Sequence, residues 1–221
     1  MRALLWAVVF GLGCKAESVG VEVPKGGAAA VSMEDLRRDS FLLEAERKGR
    51  PPGTARPKAG WQGLADRLRQ MKTVPAFGRS FRASAEAVVV CSEKKGDGAG
   101  VVFVGVEDDP TDPGRSTAGL AMLISLAKAW DTRTAPPRTL LFCAWEGAAG
   151  FEALRAAPPV PWRTVDAGLL LGEPERSVDG VVFSTTRVGF SGSVEGLDFQ
   201  SLHRRTLEVE QALRRTVTAD P

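Results

Sequence analysis

The residues whose types and spacing suggest chemistry fall in a handful of places. Four carboxylates, Glu107, Asp108, Asp109 and Asp112, crowd the stretch VGVEDDPTD, and a fifth, Glu146, ends the apolar run RTLLFCAWE. Oxygen ligands in that density can hold calcium; the plainer reading is a solvated loop at a sheet edge. PGRSTAG opens a helical pattern, so Arg115 and free backbone N–H groups could meet an anion there, but neither nucleotide fingerprint is present. GFSGS around Ser191 is near a nucleophile elbow in letters, without the strand-to-helix setting or a placed histidine. The single histidine, His203, sits in SLHRRTLEVEQALRR beside the stripe Leu202, Leu207, Val209 and Leu213, and reads as a surface or boundary residue. With one imidazole and no tyrosine, few histidine-dependent mechanisms stay open. The tip FCAWEGAAG poses the sharpest question, because a strand running into a Gly- and Ala-rich turn usually presents reactive groups, and here it presents Ala148 and Ala149.

The elements that must position these residues are legible from periodicity. Ser32 is a suitable N-cap, with Glu34 and Asp35 in the first turn of a helix running to about Lys48. GRPPGTARPKAG breaks that helix. Trp61, Leu64, Ala65, Leu68 and Met71 then recur at helical spacing. From Ala85 the texture changes to Val-rich runs, AEAVVVCSE and AGVVFVGVEDD, joined by a Gly-Asp-Gly turn that suggests a hairpin. LAMLISLAKAW is apolar on nearly every face and predicts a core helix. RTLLFCAW completes a strand-helix-strand crossover of an α/β sheet. Beyond Phe151 the pattern is looser, with strands expected in AGLLLG and GVVFSTT and a last helix from about Asp198 to Val217. Cys91 and Cys143 fall in strands; they read as small buried hydrophobes, and a disulfide between them stays open because sequence cannot establish their proximity.

Taken in order, these segments resemble the secreted zinc aminopeptidase family, whose relatives include glutaminyl cyclases and the transferrin-receptor protease-like domain. The likeness rests on DLRRD, GRPPGT and ADRLRQMKTVPAF as the leading helix, turn, second helix and exit, followed by VVFVGVEDD, PGRSTAGLAMLISLAKAW and RTLLFCAWEGAAG. It covers most of the chain after Ser32 and implies a three-layer α/β/α sandwich with a mixed sheet. In that family two zinc ions share a bridging carboxylate, polarise a scissile carbonyl and generate hydroxide. Carried onto this chain, the resemblance puts the histidine of a His-x-Asp strand end on Val106 and its aspartate on Asp108. The bridging carboxylate falls on Arg115, the Glu-Glu pair of base and ligand on Ala148 and Ala149, and the late histidine near Val188. The later aspartate has no clear match in Leu171 to Glu173. A guanidinium at 115 would repel the dication. The resemblance therefore implies a member whose zinc site is lost, with zinc expected of the family but not bound here. It leaves a crevice at the strand C-termini flanked by Asp108, Arg115, Trp145 and Glu146. The competing expectation is a working metallohydrolase rebuilt on Asp108, Asp112 and Glu146.

At 221 residues, 43% apolar and 25% charged, the chain is long enough for one α/β core, and its net charge of +2 supplies no dense basic patch for nucleic acid. Arg2 followed by the apolar Ala3 to Gly13 is too short to span a bilayer and reads as a signal peptide. GLGC is similar to a bacterial lipoprotein cleavage site, with Gly11 where that signal usually has leucine, so Cys14 is the expected lipidated residue. Residues 1–14 are then signal, 15–31 a flexible tether and 32–217 a single peptidase-like domain. The expected setting is the bacterial cell envelope, membrane-bound only through the N-terminal lipid. The expected partner is a peptide, a cell-wall fragment or an active protein.

Overall fold

The computed structural model describes residues 31–47, 51, 53–71, 73–82, 88–131, 135–172, 176–178, 181–186 and 196–218. Among them five helices, α1 (Met33–Ala45), α2 (Lys58–Gln70), α3 (Pro113–Asp131), α4 (Gly147–Ala156) and α5 (Phe199–Thr218), surround seven strands. The strands are β1 (Val74–Pro75), β2 (Val89–Lys94), β3 (Val101–Asp108), β4 (Thr139–Glu146), β5 (Val165–Leu171), β6 (Arg176–Val178) and β7 (Val181–Thr186). They form one mixed sheet in the order β1-β2-β4-β3-β5-β7-β6, with β4, β3, β5 and β7 mutually parallel and the outer pairings antiparallel.

Strand alternation divides the core in two. Val102, Val104 and Val106 of β3 and Leu140, Phe142 and Ala144 of β4 pack against α1, α2, α3 and α5. Phe103, Leu141, Cys143 and Trp145 face the other way, onto Phe151 and Leu154 of α4, Trp162 and Phe183. Helices on both faces of a mixed sheet give the α/β/α sandwich that the resemblance implies. α3 is buried along almost its whole length, as its all-round apolar sequence requires. Among the described residues no helix is long and apolar enough to cross a membrane. Cys14, the signal segment and the tether up to residue 30 lie outside the described residues; Val31, the last residue of the expected tether, is instead buried in the core.

Three local expectations change. The Val-rich runs do not form a hairpin: β4 lies between β2 and β3. The Gly-Asp-Gly segment arches over the start of β4, where the Asp97 and Gly98 N–H groups donate to the Pro136 and Pro137 carbonyls at 2.9 and 3.0 Å. A Cβ on Gly96 would lie 2.3 Å from the Arg138 backbone, so the glycine serves this close crossing rather than a tight reversal. The Gly- and Ala-rich tip after β4 is not a turn but the first turn of α4. Cys91 and Cys143 stand opposite each other in the β2–β4 register and form a disulfide, with both residues fully buried.

The helix ends follow local chemistry. Ser32 caps α1, its hydroxyl accepting the Asp35 N–H at 3.3 Å. The helix stops at Ala45 rather than Lys48, which releases Glu46 and Arg47 into a turn. α2 begins at Lys58, three residues before Trp61. Asp35 also pins α1 to α3 through Lys128. Burial opposes its ionisation, but Lys128 and Arg38 outweigh that and hold its carboxyl below the ordinary 3.8. A depressed folded value means stability that is present above 3.8 and lost as pH falls through the folded value. Urea unfolding of Asp35→Asn should therefore differ from the parent at pH 6 and converge with it as the solution is acidified through and below 3.8.

Candidate functional site

β3 and β4 run parallel in a register that places Asp108 opposite Glu146 and Val106 opposite Ala144. The two-residue period that sends Val102, Val104 and Val106 to the α1–α3 side also sends Asp108 there. On β4, Glu146 follows Leu140, Phe142 and Ala144. Two carboxylates therefore end neighbouring strands on one face, at the C-terminal edge where open α/β sheets place their ligands.

A guanidinium cluster answers them. Arg56, in the connection between α1 and α2, donates from Nε to Asp108 Oδ2 at 2.8 Å and from its backbone N–H to Glu146 Oε1 at 2.6 Å. Its Nη1 donates to Glu46 Oε2 at 2.5 Å. Arg47 pairs with the other Asp108 oxygen, and Arg67 of α2 with the other Glu46 oxygen at 3.2 Å. The Arg56 and Asp108 side chains are each only 1% exposed. Trp61 lies beneath Arg56, ring centroid 6.0 Å from Cζ. Gly60 leaves the space: a Cβ there would come within 2.9 Å of the Arg56 stem. Burial first, and the neighbouring Arg47 charge second, push Arg56 down to about 10, with Glu46 opposing; it stays protonated at neutral pH.

The other predicted positions are spread around this cluster. Val106 is 1% exposed and packs into the core against Gly119 of α3, where even a Cβ on the glycine would lie 2.6 Å from its Cγ2. Trp145 is fully buried on the opposite face, its ring tilted against Phe103 and Phe151, and so does not line an open crevice. Arg115, in the first turn of α3, donates to Asp109 at 2.8 Å and faces Asp112 at 3.7 Å. Asp112 caps the α3 N-terminus by accepting the Arg115 N–H, so the chain's own carboxylates fill the anion position that PGRSTAG suggested. Asp109 accepts from Thr111 and Arg115. Burial opposes its ionisation, but Thr111 and then Arg115 hold its carboxyl below the ordinary range. The EDDPTD acids are thus split between Glu107 on the opposite face of β3, the buried Asp108 and the self-bonded loop of Asp109 and Asp112, and among the described residues they form no metal-holding group. Ala148 and Ala149 are exposed in the first turn of α4. His203 is half-buried and hydrogen-bonds the Val31 carbonyl at 2.8 Å, a boundary role. Val188, Ser191 and Glu173 lie outside the described residues.

Arg47, Arg56 and Glu46 were not singled out from the sequence. Arg56 stands in a Pro- and Gly-rich breaker, where an arginine reads as solvent-facing. The available signal was indirect: two acids ending two adjacent core strands need a cation, and no histidine lies near them in the sequence.

The fold is that of the zinc-dependent exopeptidases and glutaminyl cyclases. A Zn-dependent exopeptidase from Parabacteroides distasonis superposes with TM-score 0.63 at 14% identity, covering 85% of this chain and 99% of that one. Porphyromonas gingivalis glutaminyl cyclase superposes at 0.60 with 12% identity, covering 86% and 100%. Bacteroides thetaiotaomicron glutaminyl cyclase, solved with N-acetylhistamine, does so at 0.60 with 10% identity, covering 85% and 99%. No protein-family model and no curated protein sequence matches the chain.

The zinc that these neighbours imply can be tested against the residues present, and they do not fit it. Zinc takes imidazole, thiolate or carboxylate ligands in near-tetrahedral geometry. Here Asp108 and Glu146 are already engaged by Arg56, and Asp108 also by Arg47. Three positions where the resemblance expects further ligands, 106, 115 and 149, carry a core valine, an arginine and an alanine. Among the described residues no group of three or more His, Cys, Asp or Glu is arranged to hold a metal ion.

Proposed function

We propose that this chain is a non-catalytic protein built on the zinc-exopeptidase fold, tethered to the bacterial cell envelope by a lipid on Cys14, and that it acts by binding or scaffolding. The observation that carries the reading is Arg56: its guanidinium engages Asp108 and its backbone N–H engages Glu146, so one residue occupies both strand-end carboxylates. Hydroxide generation on a metal has no ligand set there. At the positions where the resemblance expects a general base and a ligand, Ala148 and Ala149 offer only methyl groups. The Cys91–Cys143 disulfide supports the envelope setting, because such bonds persist where thiols are oxidised. The ligand class that suits the reading is a peptide or cell-wall fragment, or an active protein partner.

Two measurements on one preparation test it. Elemental analysis should find zinc far below one per chain after dialysis. Aminoacyl-nitroanilide hydrolysis and glutaminyl cyclisation should both stay at the uncatalysed rate. Stoichiometric zinc, with turnover abolished by Asp108→Asn, would overturn the reading in favour of a rebuilt metallohydrolase.

A further inference from the structure

Three carboxylates from three separated segments, Glu46 after α1, Asp108 at the end of β3 and Glu146 at the end of β4, converge on a single residue. Without a shared counter-charge they would repel one another in a poorly solvated setting. Arg47 and Arg67 each reach one of them; Arg56 reaches all three, two through its side chain and one through its backbone N–H. We infer that Arg56 is a built-in cation: its guanidinium joins Asp108 to Glu46 as a bound metal ion would, and with its backbone N–H on Glu146 the residue fastens the α1–α2 connection across the ends of β3 and β4. The inference goes beyond the non-catalytic reading and stands on the geometry alone.

The chemistry explains why the residue is arginine. A planar fork directs Nε at Asp108 and Nη1 at Glu46 simultaneously, whereas an ammonium is a point charge with strong hydration. Gly60 and Trp61 make room for the fork and cover it. Arg115 lacks all of this. It is 30% exposed and, among the described residues, pairs with acids three and six residues away, as a surface residue does. A direct consequence is that the crevice expected at these strand ends is filled by the protein's own side chains, with Asp108 and Arg56 both sealed from water.

A charge-bearing role and a packing role separate in the pair Arg56→Lys and Arg56→Met, which keep comparable stems and differ in charge. By thermal melts at neutral pH, Arg56→Met should lose about 10 °C, and Arg56→Lys less than half of that. Adding Glu46→Gln to Arg56→Met should recover several degrees, because it removes a carboxylate that has lost the closer of its two guanidinium partners and keeps only Arg67. Equal losses for Lys and Met, or no recovery with Glu46→Gln, would reduce Arg56 to a space-filler and overturn the inference. If Arg56→Met yields no soluble protein, the double variant decides alone: restored soluble yield supports the built-in cation, and continued failure overturns it. The zinc content and turnover of the parent protein are separate readouts, so the two proposals can fail independently.

Discussion

Asp108→Asn is expected to cost about 3–5 kcal/mol of folding stability, the range for breaking a buried ion pair from one side. The side chain is 1% exposed and takes one guanidinium on each oxygen, Arg47 on Oδ1 and Arg56 on Oδ2. An asparagine has nearly the same size but carries one acceptor and one donor, so one of the two arginines would face an N–H group. Two buried guanidiniums would then share a neutral partner, and the loss of the carboxylate charge between them rather than of a single bond sets the magnitude. Urea denaturation at neutral pH measures it. Asp109→Asn is the control: Asp109 is 23% exposed and its partner Arg115 30%, so a change within about 1 kcal/mol is expected there. A loss at Asp108 no larger than that at Asp109 would show the cluster to be open to water, and the description of a sealed site would fall with it.

The contrast between these two neighbours shows where sequence reasoning reaches. Both acids belong to one dense stretch, and both were candidates for one calcium site. Strand parity separates them, since Asp108 is the last residue of β3 and shares the face of Val106, while Asp109 has already left the strand and bonds Thr111 and Arg115. The fold itself was largely readable because its signals are local: the Ser32 cap, the all-apolar α3, the Val-rich strands and the amphipathic α5 each state their own period. The order of strands was less so. A Gly-Asp-Gly turn announces a reversal of direction, but whether a third strand enters between the two arms depends on β4, forty residues later. The expectation of emptied positions came from letters, because a valine, an arginine and two alanines cannot perform the ligand and base roles that the resemblance assigns to their positions. What filled the space was not, since Arg56 acquires its role only when the α1–α2 connection folds across two strand ends distant in sequence.

Converting both Cys91 and Cys143 to alanine is expected to cost about 4 kcal/mol, the loop-closure value for a cross-link over 52 residues. The bond joins β2 to β4 at their centres, Cys91 directly opposite Cys143 in the antiparallel register. It therefore ties a strand that has only the two-residue β1 on its outer side to the parallel core. Neither sulfur is exposed, and both sit in the cluster formed by Phe103, Trp145, Phe151 and Trp162. Reductant should consequently act slowly on the folded protein and fully once urea opens it. Alanine leaves two small voids on that same face, which adds to the loss instead of offsetting it. The check is urea unfolding of oxidised parent and double variant, with thiol titration of the denatured parent in a Cys14→Ser background, where no free thiol is expected before reduction. Two free thiols, or a variant as stable as the parent, would refute the cross-link as a stabilising element and remove the support it lends to an oxidising, envelope setting.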